Sequence, residues 1–518
     1  MLLPHMSVIG RAQSRGALCL QVLGAMAPLL LALAICLSIN ALAAAATIAD
    51  AAEKKDWARL ATLLTEKAEP GAAQVDGTTA LHWAAYHDDT AAAQKLLAAG
   101  ASAKAANRYG VTPLALACQN GNETLVAALL DAGADANGEL RGGETALMTA
   151  ARTGRVGPVA RLLARGARLE AKDRKGQTAL MWAAADGHAA VIDLLIHSGA
   201  ERGARLKSGF TPLLFAARAG HIEAVRALLR AGVDPNEAIV TEEKTGGRAA
   251  PNGTGALLFA VENGHYELAM ILVAAGADPN DQRSGFTPLH TLSWVRKPSR
   301  GDDEAGQPPP ETTGKFTSLE FARELIAHGA DVNGALTARP TGRGRLGMGG
   351  ATPFLLAAKT ADLPLLKLLV SLGASPLQPN ADGATPLMAA AGLGTTAPDE
   401  EAGTEEECVA ALDYLLTLGA DVNTVSQTGE TAMHGAAYKS LPKVVALLAA
   451  RGAQVALWNR KNRLGWTPLL IAQGFRVGNF KPSAETIDAL SRVMLAAGVP
   501  PPPPPSRDSV AKKAYEQP

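Results

Sequence analysis

The sequence predicts an all-α fold, a solenoid of helix-turn-helix repeats linked by β-hairpin fingers, and three observations carry the prediction. The motif Thr-(Pro/Ala)-Leu returns at Thr79, Thr112, Thr145, Thr178 and Thr211, each step 33 residues. A glycine closes each repeat at Gly100, Gly133, Gly166, Gly199 and Gly232, with the same 33-residue interval. Between the two marks apolar residues fall at helical spacing, as from Ile222 to Arg230. Two independent marks sharing one period point to a stack of small repeats, none able to bury both its faces alone.

Composition agrees. The chain has 518 residues, 47% hydrophobic but only 4% aromatic, so its core is built from Ala, Leu and Val and suits thin helices packed closely, with few large enclosed pockets. The 49 basic residues balance 49 acidic ones. No net field recruits nucleic acid or an anionic membrane, and a partner must be recognised locally. Of the four cysteines, Cys19 and Cys36 sit in the apolar leader, whereas Cys118 and Cys408 lie too far apart along an array to pair and read as buried packing residues.

The first element is a leader. From Gly24 to Ala46 the chain is apolar apart from Ser38 and Asn40, and Arg11 and Arg15 precede it, the pattern of a secretory signal. Ala41-Leu42-Ala43 places cleavage near Ala43, with Ala46 the alternative. An apolar run of this length is also enough to span a bilayer, so an uncleaved N-terminal anchor is the second reading. Residues 1–43 are therefore a signal peptide or anchor, 44–498 the repeat domain and 499–518 a proline-rich extended tail. Either way the body leaves the cytoplasm, to the periplasm or the medium, or stays held at the inner membrane. The Ala-rich composition and the leader suggest a bacterial source, with eukaryotic secretion the alternative.

The array opens on a degenerate starting repeat at 48–68, with Trp57, Leu60, Leu63 and Leu64 at helical spacing. In each full repeat Thr caps free amides, Pro or Ala begins the first helix, and Gly-His, as at Gly187-His188, Gly220-His221 and Gly264-His265, breaks it before the second. Later repeats continue at Gly255-Ala256-Leu257, Thr287-Pro288-Leu289-His290, Thr352-Pro353-Phe354, Thr385-Pro386-Leu387, Thr431-Ala432-Met433-His434 and Thr467-Pro468-Leu469, which makes eleven. Insertions interrupt the period at 237–252 and 335–350, in the fingers, and at 296–316 and 394–405, between the two helices of a repeat. Disordered linkers are the simplest reading of all four. The finger loop carrying Arg339, Arg343 and Arg345 is the one with functional character. Ile487 to Ala497 supplies a last helix, and prolines from Pro500 to Pro505 forbid its continuation.

Together these marks resemble the ankyrin repeat over residues 48 to 498. Proteins of that kind bind partners through finger tips and the residues closing the first helix, on a concave face. Carried over slot by slot, the resemblance implies Tyr86, His87, Gln119, Asn120, Arg152, Arg218, Glu262, Asn263, Lys359, Tyr438 and Lys439 at helix ends, Phe210, Phe286 and Trp466 before the motif Thr, and Arg343 in the basic finger. An exposed aromatic flanked by Arg is the usual make-up of a contact hot spot. Trp83 and Trp182 occupy packing slots instead.

Enzyme readings lack parts: there is no HExxH, GxSxG or GxxxxGK[ST] motif and no Rossmann glycine pattern behind a strand. Most histidines belong to the repeat. His82, His290 and His434 fill the slot three residues after the motif Thr, where hydrogen bonding between repeats is expected, and His82 and His87 face different sides of their helix, so no metal site is expected. No cofactor is expected. Basic finger tips such as Arg108, Arg141 and Lys175 are common in this repeat and do not make a nucleic-acid site. The expected protein is a monomeric, non-enzymatic interaction scaffold whose partners are one or more proteins. A membrane-anchored spacer is the alternative.

Overall fold

The computed structural model describes residues 48–242, 250–299, 308–337, 346–398, 400–476 and 481–503, and all regular structure among them is helical. The expected leader, the basic loop with Arg343 and most of the proline-rich tail lie outside the described residues.

Most first helices have the same local cause. Thr112 stands in extended backbone before Pro113, and its Oγ1 accepts the Ala115 N–H at 3.1 Å. The hydroxyl satisfies a free amide and Pro presets the first turn. Thr145, Thr211, Thr287, Thr352, Thr385 and Thr467 cap their helices likewise. Asp89, Asn122 and Asp362 cap second helices. Beyond two of those helices Gly100 and Gly133 adopt φ of 95° and 87°, left-handed backbone that glycine enters without a Cβ clash.

The described residues form two compact units, those from 48 to Ala183 with Leu194–Ala200, and Ala184–Asp193 with those from Glu201 to 503. In the first, Ala80–Tyr86, Pro113–Asn120 and Ala146–Thr153 lie side by side as one layer, and Thr90–Ala98, Glu123–Asp131 and Val156–Ala164 as another. Fully buried Ala84, Ala117 and Ala150 let the backbones of the first layer approach closely, while Leu96, Leu129 and Leu162 fill the second. Burying each such Leu contributes about 1.5–3 kcal/mol. In the second unit the same arrangement runs from Pro212–Ala219 with Ile222–Arg230 to Ala432–Lys439 with Pro442–Ala450, and Ala484–Ala496 closes it against Pro442–Ala450 and Pro468–Ala472.

Finger hairpins are reduced to their minimum among the described residues. There are isolated antiparallel bridges at Ala73–Thr79, Glu139–Thr145 and Ala238–Gly255, with no strand. Gln74 N–H donates to the Thr78 carbonyl at 2.8 Å and Gly77 N–H to the Gln74 carbonyl at 2.8 Å, so the turn consumes the residues a ladder would need. Successive tips are nevertheless joined, Arg108 N–H donating to the Asp76 carbonyl at 2.8 Å and Arg174 N–H to that of Gly142 at 3.0 Å.

Two side-chain ladders tie repeat to repeat. His82, His290 and His434 place Nε2 3.0, 3.0 and 3.2 Å from the carbonyl oxygens of Val111, Ala351 and Arg460. An asparagine ladder had no counterpart in the sequence reading. Asn137 Nδ2 donates to the Gly166 carbonyl at 3.0 Å while its Oδ1 accepts Arg168 N–H at 2.7 Å, and Asn236, Asn280, Asn333 and Asn423 repeat both bonds onto the next repeat. The signal was present as the Asn ending Gly-Ala-Asp-Val-Asn and its relatives, four residues after the closing glycine.

The helix-side insertions fold back onto the preceding repeat over their described parts. Thr313 N–H donates to the Gly264 carbonyl at 3.1 Å, and Thr313 Oγ1 lies 2.9 Å from His265 Nδ1. Around Glu401, Ala402 and Gly403 the second insertion rests on the end of Pro353–Lys359, where a Cβ on Gly403 would stand 3.0 Å from the Ala361 Cβ and 3.1 Å from the Thr360 carbonyl oxygen.

Candidate functional site

Residues closing the first helices fall into three groups. In the first compact unit they are open. Tyr86 is 58% exposed and stands edge to face with Trp83 and His87, ring centroids 5.7 and 5.2 Å away. His87 is held by its Nε2 donating to the Glu53 carbonyl at 2.9 Å and by stacking on Trp83. Gln119 and Asn120 are exposed, Asn120 Nδ2 donating to the Ala85 carbonyl at 2.8 Å and thereby fixing the end of the preceding helix. The exposed Arg152 guanidinium lies 5.4 Å from the Trp182 ring centre. Rigid aromatic rings next to a planar cation are the chemistry of protein contact sites.

In the second unit a further part is half-covered. Phe210 packs between Phe215 and Phe259, at 5.1 and 5.4 Å, with the exposed Arg218 guanidinium 5.6 Å above it. Phe286 stands edge to face with Trp294 at 4.9 Å. Glu262 is half-buried, and loss of water raises its carboxyl above the ordinary value. Asn263 Nδ2 turns back to the Phe259 carbonyl at 2.8 Å, closing its own helix. Lys359 is half-buried and its Nζ reaches Glu401 at 3.4 Å.

Three expected contact residues are not on the surface. Tyr438, Lys439 and Trp466 are 2, 4 and 8% exposed. Tyr438 is buried because its hydroxyl joins Glu430 Oε1 at 3.3 Å and Asn462 Nδ2 at 3.1 Å in an internal polar cluster. The Trp466 backbone N–H donates to Asn462 Oδ1 at 3.0 Å, which ties its turn to the same cluster. Lys439 is covered by the insertion, its Nζ donating to the Ala402 carbonyl and lying 3.5 Å from Cys408 Sγ. Arg343 lies outside the described residues.

Cys118 and Cys408 are buried. Burial pushes the Cys118 thiol up to about 12 and raises that of Cys408, the latter against the opposing pull of Lys439, and a thiol held protonated is a poor nucleophile. No group of three or more His, Cys, Asp or Glu among the described residues is placed to hold a metal ion. No described helix is long and apolar enough to cross a membrane.

Paired short helices, stacked layer on layer and stitched by His and Asn ladders, define a helical-repeat protein. Between residues 48 and 283 the repeats match ankyrin repeats: a family model of three tandem ankyrin repeats matches residues 48–139 and again 147–239, and a single-repeat model matches 252–283. Ankyrin repeats generally mediate protein–protein binding and are typically non-enzymatic. No curated protein matches the chain.

Proposed function

We propose that this protein is a non-enzymatic interaction scaffold acting outside the cytoplasm, binding its partner through first-helix ends and finger tips. The observation that carries the reading is the open group at Tyr86, His87, Gln119, Asn120 and Arg152, where a 58%-exposed tyrosine and an aromatic-stacked arginine stand on rigid helices. Such groups contribute binding energy at small entropic cost, because the scaffold already holds them. The finger turns, locked tip to tip, add Tyr109, half exposed, beside Arg108 at 4.9 Å. Export rests on the apolar segment 24–46 behind Arg11 and Arg15.

The test is affinity capture with the full chain from an envelope extract, repeated with Tyr86→Ala and Arg152→Ala. Partners retained by the parent should be lost from the double variant while its thermal melt is unchanged; identical partner sets would count against this face. The length of the same apolar segment favours a second reading, a membrane-anchored spacer. Sequencing the mature N-terminus separates the two, a start near Ala44 supporting the exported scaffold and an intact leader the anchor.

A further inference from the structure

A regular repeat joins its two helices with two residues, as Gly220 and His221 join Pro212–Ala219 to Ile222–Arg230. Between Pro386–Ala390 and Glu405–Thr417 the chain instead spends fourteen, 391 to 404. Closing the turn does not require them. Their described part, together with the first turn of the helix that follows, lies on the ends of first helices from other repeats and meets a lysine at each. Lys359, ending Pro353–Lys359, reaches the Glu401 carboxylate at 3.4 Å. Lys439, ending Ala432–Lys439, donates to the Ala402 carbonyl. Lys297, just past Pro288–Arg296, pairs with Glu407 in the first turn of the helix that the insertion leads into. At the matching place in Pro212–Ala219, Arg218 is exposed to solvent, its guanidinium 5.6 Å from the Phe210 ring centre.

We propose that the insertion around Glu401 is a tethered occupant of a lysine-lined face in the second compact unit, holding it closed against an acidic segment of a protein partner. The inference rests on the scaffold reading above. Three features support it. The cations come from three separate repeats, whereas the groups that satisfy them come from one stretch of chain. The ion pairs of Lys297 and Lys359 are only half-buried, so water and salt compete for them and an incoming carboxylate can replace them. Glycine shapes the fit: Gly403, at φ 86°, lets the backbone lie against Ala361 and Thr360 where any Cβ would crowd them. A tethered ligand competes at the high effective concentration its short connection imposes, so an untethered acidic peptide is excluded unless its local supply is comparable.

The experiment uses the full chain and, as probe, a fluorescein-labelled peptide of residues 395–407, read by fluorescence anisotropy. Three proteins are compared: the parent, a variant with 396–403 replaced by a Gly-Ser linker of equal length, and the double variant Glu401→Gln with Glu407→Gln. Both altered proteins should bind the peptide roughly tenfold or more tighter than the parent. Binding should weaken with added salt and vanish when Lys297→Ala and Lys359→Ala are added to the linker variant. Should the linker variant lose its cooperative melt, the Gln pair, which preserves length and shape, supplies the reading. Equal binding by all three proteins, no binding by any, or binding that survives loss of the lysines overturns the proposal and leaves the insertion a packing element. None of these outcomes touches Tyr86 or Arg152, so the capture experiment and this one fail independently.

Discussion

His290 shows how a single side chain holds two repeats and makes them sensitive to acid. Its Nε2 faces the Ala351 carbonyl at 3.0 Å and must carry the proton, which leaves Nδ1 bare to accept from the Thr287 hydroxyl at 2.7 Å. His434 is placed alike. Both rings are buried and neutral, and loss of water pushes each down to about 4 from an ordinary value near 6.5. Between those values the unfolded chain binds the proton and the folded chain does not, so this stability is complete above pH 6.5 and drains away as pH falls toward 4. Glu430 acts oppositely. Burial lifts its carboxyl to about 7 from 4.5, so its contribution is complete below pH 4.5 and is lost as pH rises through 7. The histidines therefore cost the second compact unit stability as pH falls toward 4, while Glu430 costs it stability as pH rises through 7. Glu430→Gln should lessen the fall in melting temperature as pH rises through 7, and His290→Gln should lessen its fall toward pH 4; variants whose pH dependence matches the parent's would contradict the assignment. Asp362 gives a second prediction. It is fully buried, pairs with Arg296 at 2.7 and 3.1 Å, and caps Leu365 N–H at 3.1 Å. Asp362→Ala strands the guanidinium and removes the cap, and urea titration should show a loss of about 3–5 kcal/mol.

At the scale of the element, close approach decides more than propensity. Gly435 sits inside the helix Ala432–Lys439, where replacement by Ala ordinarily stabilises a helix by about 0.5–1 kcal/mol. Here a Cβ would stand 2.8 Å from Leu393 N and 3.0 Å from the Met388 carbonyl oxygen. Gly435→Ala should instead destabilise, by about 1–3 kcal/mol, read as a lower urea midpoint at unchanged slope. The first and second helices were legible from sequence because Thr-Pro starts and Gly stops act within a few residues. Burial of Tyr438 and Lys439 was not, since it depends on Glu430, Asn462 and an insertion that begins more than thirty residues away from Lys439. The slot rule placed Lys359 correctly at a helix end, and Glu401 then covers it.

At the scale of the molecule, a stack of repeats is stable only if its exposed end face is covered. Ala484–Ala496 does this for the second compact unit, burying Ala489, Leu490 and Met494 beside Pro442–Ala450 and Pro468–Ala472. Deleting residues from 483 onward exposes the faces of those helices, and the truncated chain should melt at lower temperature and elute as larger species in size-exclusion chromatography. Unchanged elution and melting would show that the helix is dispensable.

The period, the helix starts and stops, the small apolar core and the ankyrin character were all readable from the chain alone, because each arises from contacts within one repeat or from a mark that every repeat carries. The sequence also pointed to Tyr86, Arg152 and Arg218 as helix-end residues, and these are exposed. Only the tertiary structure decided which helix ends stay open. Lys439 and Tyr438 occupy the same slots as exposed residues elsewhere, yet an insertion and a buried polar cluster cover them. Covering is a property of chain segments distant in sequence, whose meeting no local pattern records.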